Sequence, residues 1–287
     1  MQTPQRPVLA GPWQELFIPQ KYGTYVNDHS IVQDLNGKWH LFGITSFLGG
    51  APNERYFVHA KGDSLLSPMK EIGKVIDNGT RAWAPGVIRN ENLYYMYFGP
   101  APTKLAVSID LNEWMWYELE LVGHPPLAIH RDHFVMRLND YTWMMYAVGL
   151  YQGRGCVSCG VSNDLLHWRF VQYALTSAPS APLTPAWGAF ESPYVVCRDG
   201  LYYLFVTYTD CRKENYQDTL VFCSANPYDF GCYSGQADGA QPIARLKAHA
   251  GEVLCDPTGQ WYLTTCGWRG YDIPVEGGVA IAPLNWK

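Results

Sequence analysis

At 287 residues the chain exceeds the size of a usual single hydrophobic core, and its formal net charge of −5 with no basic cluster argues against a nucleic-acid partner. No apolar run approaches the roughly 20 residues of a membrane span. Plentiful glycine and proline, 15% aromatic residues and only 16% charged residues suit many short strands joined by tight turns.

The N-terminal stretch MQTPQRPVLAGPW lacks the apolar centre of a signal peptide, which favours the cytoplasm. From Asp28 the segment DHSIVQDLNGKWHLFGIT reads as strand, tight turn and return strand, with Trp39 as an aromatic anchor. The same pattern recurs as WAPGVIRNENLYYMYFGP from Trp83 (anchor Tyr94) and DHFVMRLNDYTWMMYAVG from Asp132 (anchor Trp143). NDLLHWRFVQYAL is the nearest approach to a helical pattern, and its place in the third repeat favours turn and strand. The fourth copy runs from Glu191 to Tyr202 and beyond, and the fifth, AGEVLCDPTGQWYLTTCG, begins at Ala250 with Trp261 as anchor. Anchors about fifty to sixty residues apart match one four-stranded propeller blade plus loops. Such units cannot bury their own faces and must stack around an axis. The expected fold is all-β: a five-bladed β-propeller, with blades of four antiparallel strands around a central channel. A single domain of this fold is expected over residues 1–287, with repeats beginning near 27, 82, 131, 190 and 249.

The eight cysteines read as buried small hydrophobes of a reducing compartment. The lone CxxC, Cys156 to Cys159, has no second pair nearby and reads as structural.

Equivalent positions of successive blades ring one end of the channel. In this alignment the openings are Asp28, Trp83, Asp132, Glu191 and Ala250, each eleven residues before its anchor, preceded by Asn27, Ala82, Arg131, Phe190 and His249. Three of the five openings are carboxylates, and three acids in an aromatic funnel suit glycosidic bond cleavage. Mutual repulsion and partial desolvation are expected to raise the pKa of one of them, with Glu191 chosen for that role. Trp83, Trp187 and Trp268 would offer flat faces to sugar rings. Each acid also has a plain structural reading: Asp28 as an Asx-turn cap, Asp132 as an ion pair with Arg131, Glu191 as a turn cap. His249 is equally readable as a satisfied core histidine.

These residues resemble the five-bladed β-propeller glycoside hydrolases of the furanosidase superfamily, families 43 and 62 on one side and 32 and 68 on the other. The resemblance runs through all five repeats. WAPGVIRNENLYYMYF, FESPYVV and HAGEVLCDPTGQWYL resemble family 43 blades; Asn27-Asp28, Arg131-Asp132 and Glu191-Ser192 resemble the fructofuranosidase triplet. The turns SIDLNEW and SNDLLHW also recur in this superfamily. The resemblance implies Asp28 as general base or nucleophile, Asp132 as transition-state stabiliser or pKa modulator, and Glu191 as general acid. Asn27, His29, Trp83, Arg131, His133 and His249 are the candidate substrate-binding residues. His29 and His133 depart from the pattern, standing where both reference motifs usually carry proline. No metal or cofactor is implied beyond a channel cation such as calcium near His249. The expected activity is hydrolysis of a terminal arabinofuranoside or fructofuranoside within an oligosaccharide or glycoside, with inversion slightly favoured over retention. Expected alternatives are a sugar-binding propeller without catalysis, or a glycosyl transferase or phosphorylase using the same pocket.

Overall fold

The computed structural model describes residues 3–21, 23–47, 50–77, 79–123, 129–178, 189–209, 218–269 and 274–287. Their strands form five separate sheets, one for each repeat, and a 3-10 turn at Ala51–Asn53 is the one helical element among the described residues. Blade one comprises Asn27–Gln33, Trp39–Ile44, Phe57–Gly62 and Lys70–Val75, and blade two Trp83–Asn90, Leu93–Gly99, Lys104–Ser108 and Met115–Glu118. Blade three is His130–Asn139, Thr142–Tyr151, Arg154–Ser162 and Trp168–Ser177; blade four is Phe190–Arg198, Leu201–Tyr208, Asp218–Ser224 and Ala244–Lys247. Within each of these four blades, consecutive strands pair antiparallel. The all-β, five-bladed expectation holds.

Blade five is assembled from both ends of the sequence. Val253–Cys255, Trp261–Cys266 and Val279–Trp286 supply three strands, and Pro7–Leu9 and Gln14–Phe17 both pair antiparallel with Val279–Trp286. Blade three carries two additions: Leu121–Val122 and Gly231–Tyr233 run parallel along its outer strand and cover that edge.

The apolar core lies between the blades, because a sheet can bury its faces only against its neighbours. Five buried clusters result, and each holds one anchor: Trp39 between blades five and one, Tyr94 between one and two, and Trp143 between two and three. Tyr202 packs at the edge of the cluster between blades three and four, and Trp261 at that between four and five. The two Ser-x-Asp turns share one geometry. Ser108 and Ser162 each accept a backbone N–H from Leu111 or Leu165 at 2.9 Å, and both leucines are left-handed at φ +67°. The Trp114 and Trp168 indoles donate back to those leucine carbonyls at 3.2 Å. The cysteines are only partly as expected: Cys156, Cys159 and Cys266 are buried, whereas Cys197, Cys232 and Cys255 lie exposed at strand or turn positions.

Candidate active site

The site is built by a kink repeated at the start of every innermost strand. In blades one to four the ladder slips just after Asn27, Trp83, Arg131 and Glu191, a β-bulge that re-aims the side chains there. The next residue is left-handed in all five blades: Asp28 (φ +41°), Ala84 (+47°), Asp132 (+57°), Ser192 (+48°) and Ala250 (+47°). Two consecutive rings follow: Asn27, Trp83, Arg131, Glu191 and His249, then Asp28, Ala84, Asp132, Ser192 and Ala250. Pairing confirms the first ring. Asn27, Trp83, Arg131 and Glu191 face the residue five beyond the anchor of the adjacent strand, and the His249 carbonyl accepts from Cys266 in the same register.

The eleven-residue alignment is therefore corrected by one position in blades two and four. Their hairpins turn through two residues, 91–92 and 199–200, whereas blades one and five turn through three, 35–37 and 257–259. Blade three regains the same length through an extra bulge between Arg137 and Asn139. Glu191 thus stands in the ring of Arg131 and His249, one step above the two aspartates.

The three carboxylates nevertheless meet. Arg131 bridges them, donating through Nη1 to Asp132 Oδ2 and through Nη2 to Glu191 Oε1 at 2.9 Å. Ser192 completes the link: its N–H donates to Asp132 Oδ2 at 3.0 Å and its hydroxyl to Asp28 Oδ1. Asn27 Nδ2 donates to Asp28 Oδ2 at 3.1 Å. His249 donates Nδ1–H to the Cys266 carbonyl at 2.8 Å, which fixes its tautomer and turns Nε2 toward Glu191 Oε2, 3.6 Å away. Asp28, Arg131, Asp132, Glu191 and His249 are all buried.

Burial and neighbours set the protons. Burial, then the charge of Asp132, pushes Asp28 up to about 7. Burial also raises Asp132, against the pull of Arg131. Glu191 moves the other way: burial works to raise it, but Arg131 and then His249 outweigh burial and hold it below the usual carboxylate range. His249 is raised despite burial, because Glu191 and Asp28 favour its charged form. The expectation that repulsion would load the proton on Glu191 is corrected. Arg131 and His249 both favour the ionised form of Glu191, whereas Asp28 and Asp132 are both raised.

His29 and His133 act between blades. His29 Nε2 lies 2.8 Å from Thr264 Oγ1 of blade five, and His133 Nε2 lies 3.0 Å from Thr103 Oγ1 of blade two. Each histidine thus latches its strand to the preceding blade. Between blades two and three the fit is close enough that a Cβ on Gly86 would run into the His133 carbonyl. Trp187 lies outside the described residues, while Trp83 and Trp268 are both partly exposed beside the site. Among the described residues no group of three His, Cys, Asp or Glu is arranged to hold a metal ion, and His249 is engaged by Cys266 and Glu191.

Three residues of the site escaped sequence reasoning. Ser192 was read only as a motif partner of Glu191. Glu252 lines an axial cavity of about 290 Å³ together with Asp28, Ser30, Asp132 and Ser192. It accepts the Ile31 N–H at 2.7 Å, and burial pushes its pKa up to about 8. Glu54, buried just after the 3-10 turn, accepts the Tyr25 hydroxyl at 2.7 Å and faces the indoles of Trp268 and Trp83; burial raises its pKa despite these donors. Glu252 stands in a stretch marked only by its repeat pattern and family resemblance, and nothing in the sequence marks Glu54.

No protein-family model and no curated protein matches the chain by sequence. By fold, solved structures do match. The endo-arabinase of Bacteroides thetaiotaomicron matches with a TM-score of 0.69 at 15% identity, covering 96% of this chain and 98% of that one. A thermostable family-43 glycoside hydrolase matches with a TM-score of 0.65 at 18% identity, covering 94% and 92%. The chain has their five-bladed fold. The Bombyx mori family-32 β-fructofuranosidase matches at a TM-score of 0.64 and 15% identity over 93% of this chain but only 62% of its own. At these identities the likeness is one of fold.

Proposed function

We propose that the protein is a glycoside hydrolase cleaving a terminal furanoside of the arabinose or fructose type. The observation that carries this reading is the meeting of Asp28, Asp132 and Glu191, from three blades, around one arginine and one histidine. Glycosidic cleavage needs a proton donor for the leaving oxygen and a second carboxylate across the sugar to activate water or to attack C1. In this proposal Glu191 is the acid, Asp28 the base or nucleophile, and Asp132 the group that raises the affinity of Asp28 for its proton. Arg131 then has a switching role: as sugar hydroxyls draw its guanidinium away from Glu191, the carboxyl of Glu191 rises and takes up the proton it must donate. Structures of the same fold support a sugar ligand, since the family-43 enzyme of Xanthomonas citri is complexed with xylose and the Bombyx mori enzyme with sucrose. Inversion is the favoured outcome, because more of the repeats resemble family 43.

A sugar-binding propeller without catalysis is the second reading, favoured by the ion pair that keeps Glu191 ionised. A screen of aryl furanosides, aryl pyranosides, fructans and arabinan oligosaccharides separates the two. Turnover by the wild type that is lost in Asp28→Asn supports the hydrolase. Sugar binding without turnover in both supports the second reading. NMR of the first-formed anomer then decides between inversion and retention.

A further inference from the structure

We propose that Glu54 is a positioning residue, whose buried carboxylate holds the indoles of Trp83 and Trp268 as two aromatic walls for the sugar ring. The inference rests on the glycosidase reading for its ligand, but its structural basis is independent of it. Glu54 lies within blade one, in the connection between Trp39–Ile44 and Phe57–Gly62 just after the 3-10 turn, and its own carbonyl accepts the Ala82 N–H at 3.0 Å, next to Trp83. Its side chain is buried and tied to Tyr25 at 2.7 Å. On one side it meets Trp83, the blade-two member of the ring that contains Arg131 and Glu191, although this indole N–H stops short of hydrogen-bond geometry. On the other it meets Trp268 of blade five, whose ring lies 5.2 Å from that of His249 at 34°.

A buried carboxylate is costly unless donors surround it, and here the Tyr25 hydroxyl and the Trp268 indole serve, with the Trp83 N–H facing it from further off. Tryptophan N–H groups can only donate, so the carboxylate anchors the N–H edge of Trp268 directly and attracts that of Trp83 electrostatically, without a hydrogen bond. Both tryptophans remain partly exposed, which is what a stacking platform for the apolar face of a sugar requires.

The test has an arm that needs no ligand. Indole N–H exchange is followed by NMR in the full chain, with the resonances assigned by Trp83→Phe and Trp268→Phe. Glu54→Ala should speed exchange at Trp268 about tenfold or more and leave distant indoles unchanged. Glu54→Gln keeps the shape but offers one acceptor oxygen where the carboxylate offers two, so at least one of the two indoles should exchange about threefold faster. Unchanged rates at both indoles in folded Glu54→Gln overturn the proposal, and this variant decides the matter if Glu54→Ala does not fold. In the second arm, with an aryl α-L-arabinofuranoside as probe, Glu54→Gln should raise KM about fivefold or more with kcat within about threefold. A residue that only supported the fold would lower kcat through loss of active molecules and leave KM unmoved, and that result also overturns the proposal. A wild type that turns over no aryl glycoside sinks the hydrolase reading alone, and the exchange rates still decide the role of Glu54.

Discussion

Asp28 and Glu191 sit in one buried cluster, yet their proton affinities move in opposite directions because Arg131 and His249 both face the glutamate. Asp132 is the neighbour whose charge adds to burial at Asp28. Asp132→Asn should therefore lower the pKa of Asp28 from about 7, read by NMR titration of its side-chain carboxyl carbon; an unmoved titration would show that Asp132 does not govern it. Glu191→Gln should cost on the order of 10²- to 10⁴-fold in turnover while sparing the fold, with partial rescue by an activated aryl leaving group that needs little protonation. Stability carries a separate signature through Glu252. Below about pH 4.5 its carboxyl is protonated in both folded and unfolded chains, whereas between 4.5 and about 8 only the folded chain holds the proton. Stability from this group is thus complete at acid pH and is lost as pH rises toward 8, by an amount on the order of a few kcal/mol. Glu252→Gln keeps an acceptor for the Ile31 N–H, so its thermal midpoint should fall less than that of the wild type between pH 5 and pH 9. Of these residues Asp28, Asp132 and Glu191 were legible, since acids at strand openings are unusual enough to count. Ser192, Glu252 and Glu54 were not, because each acts on a group of a different blade, and sequence spacing carries no sign of which blades touch.

At the level of the strand opening, five non-glycine residues adopt a left-handed conformation that side chains normally avoid. The recurrence in blades two and five, where Ala84 and Ala250 carry no polar group, shows that the kink belongs to the blade and was adopted by the site. Ala84→Gly should accordingly be neutral or stabilising by about 0.5 kcal/mol, since glycine accepts positive φ freely. Ala106→Gly, in a regular strand, should cost about 1 kcal/mol; chemical denaturation compares the two directly. The repeat pattern located all five openings but misjudged two by one residue. Its ruler was the distance to the anchor, and that distance includes a hairpin whose length varies between two and three residues. The inter-blade latches of His29 and His133 were hidden for the same reason as Ser192: a histidine beside an acid looks the same whether it faces a ligand or a threonine of the neighbouring sheet.

Over the whole molecule, the aromatic anchors announced the fold because each one fills a separate interface, and five interfaces need five anchors. What the repeats could not reveal was how the ring shuts. The segments Pro7–Leu9 and Gln14–Phe17 contain no copy of the pattern, yet they complete blade five, and Leu16 and Phe17 are buried in the cluster between blades five and one. Removing residues 1–17 should leave Val279–Trp286 as an open edge and expose that cluster. The expected result is a large drop in thermal midpoint or failure to fold, read by circular dichroism, whereas an unchanged melt would mean that the ring is held shut without them.

This closure also sets a timetable for biosynthesis. Pro7–Leu9 and Gln14–Phe17 are translated long before Val279–Trp286, the strand they pair with, so blades one to four can form in order while blade five cannot. Until Val279–Trp286 emerges, Leu16 and Phe17 travel uncovered. The nascent protein thus carries an aggregation-prone apolar pair through the synthesis of four blades, and its need of a chaperone lasts until that one strand arrives.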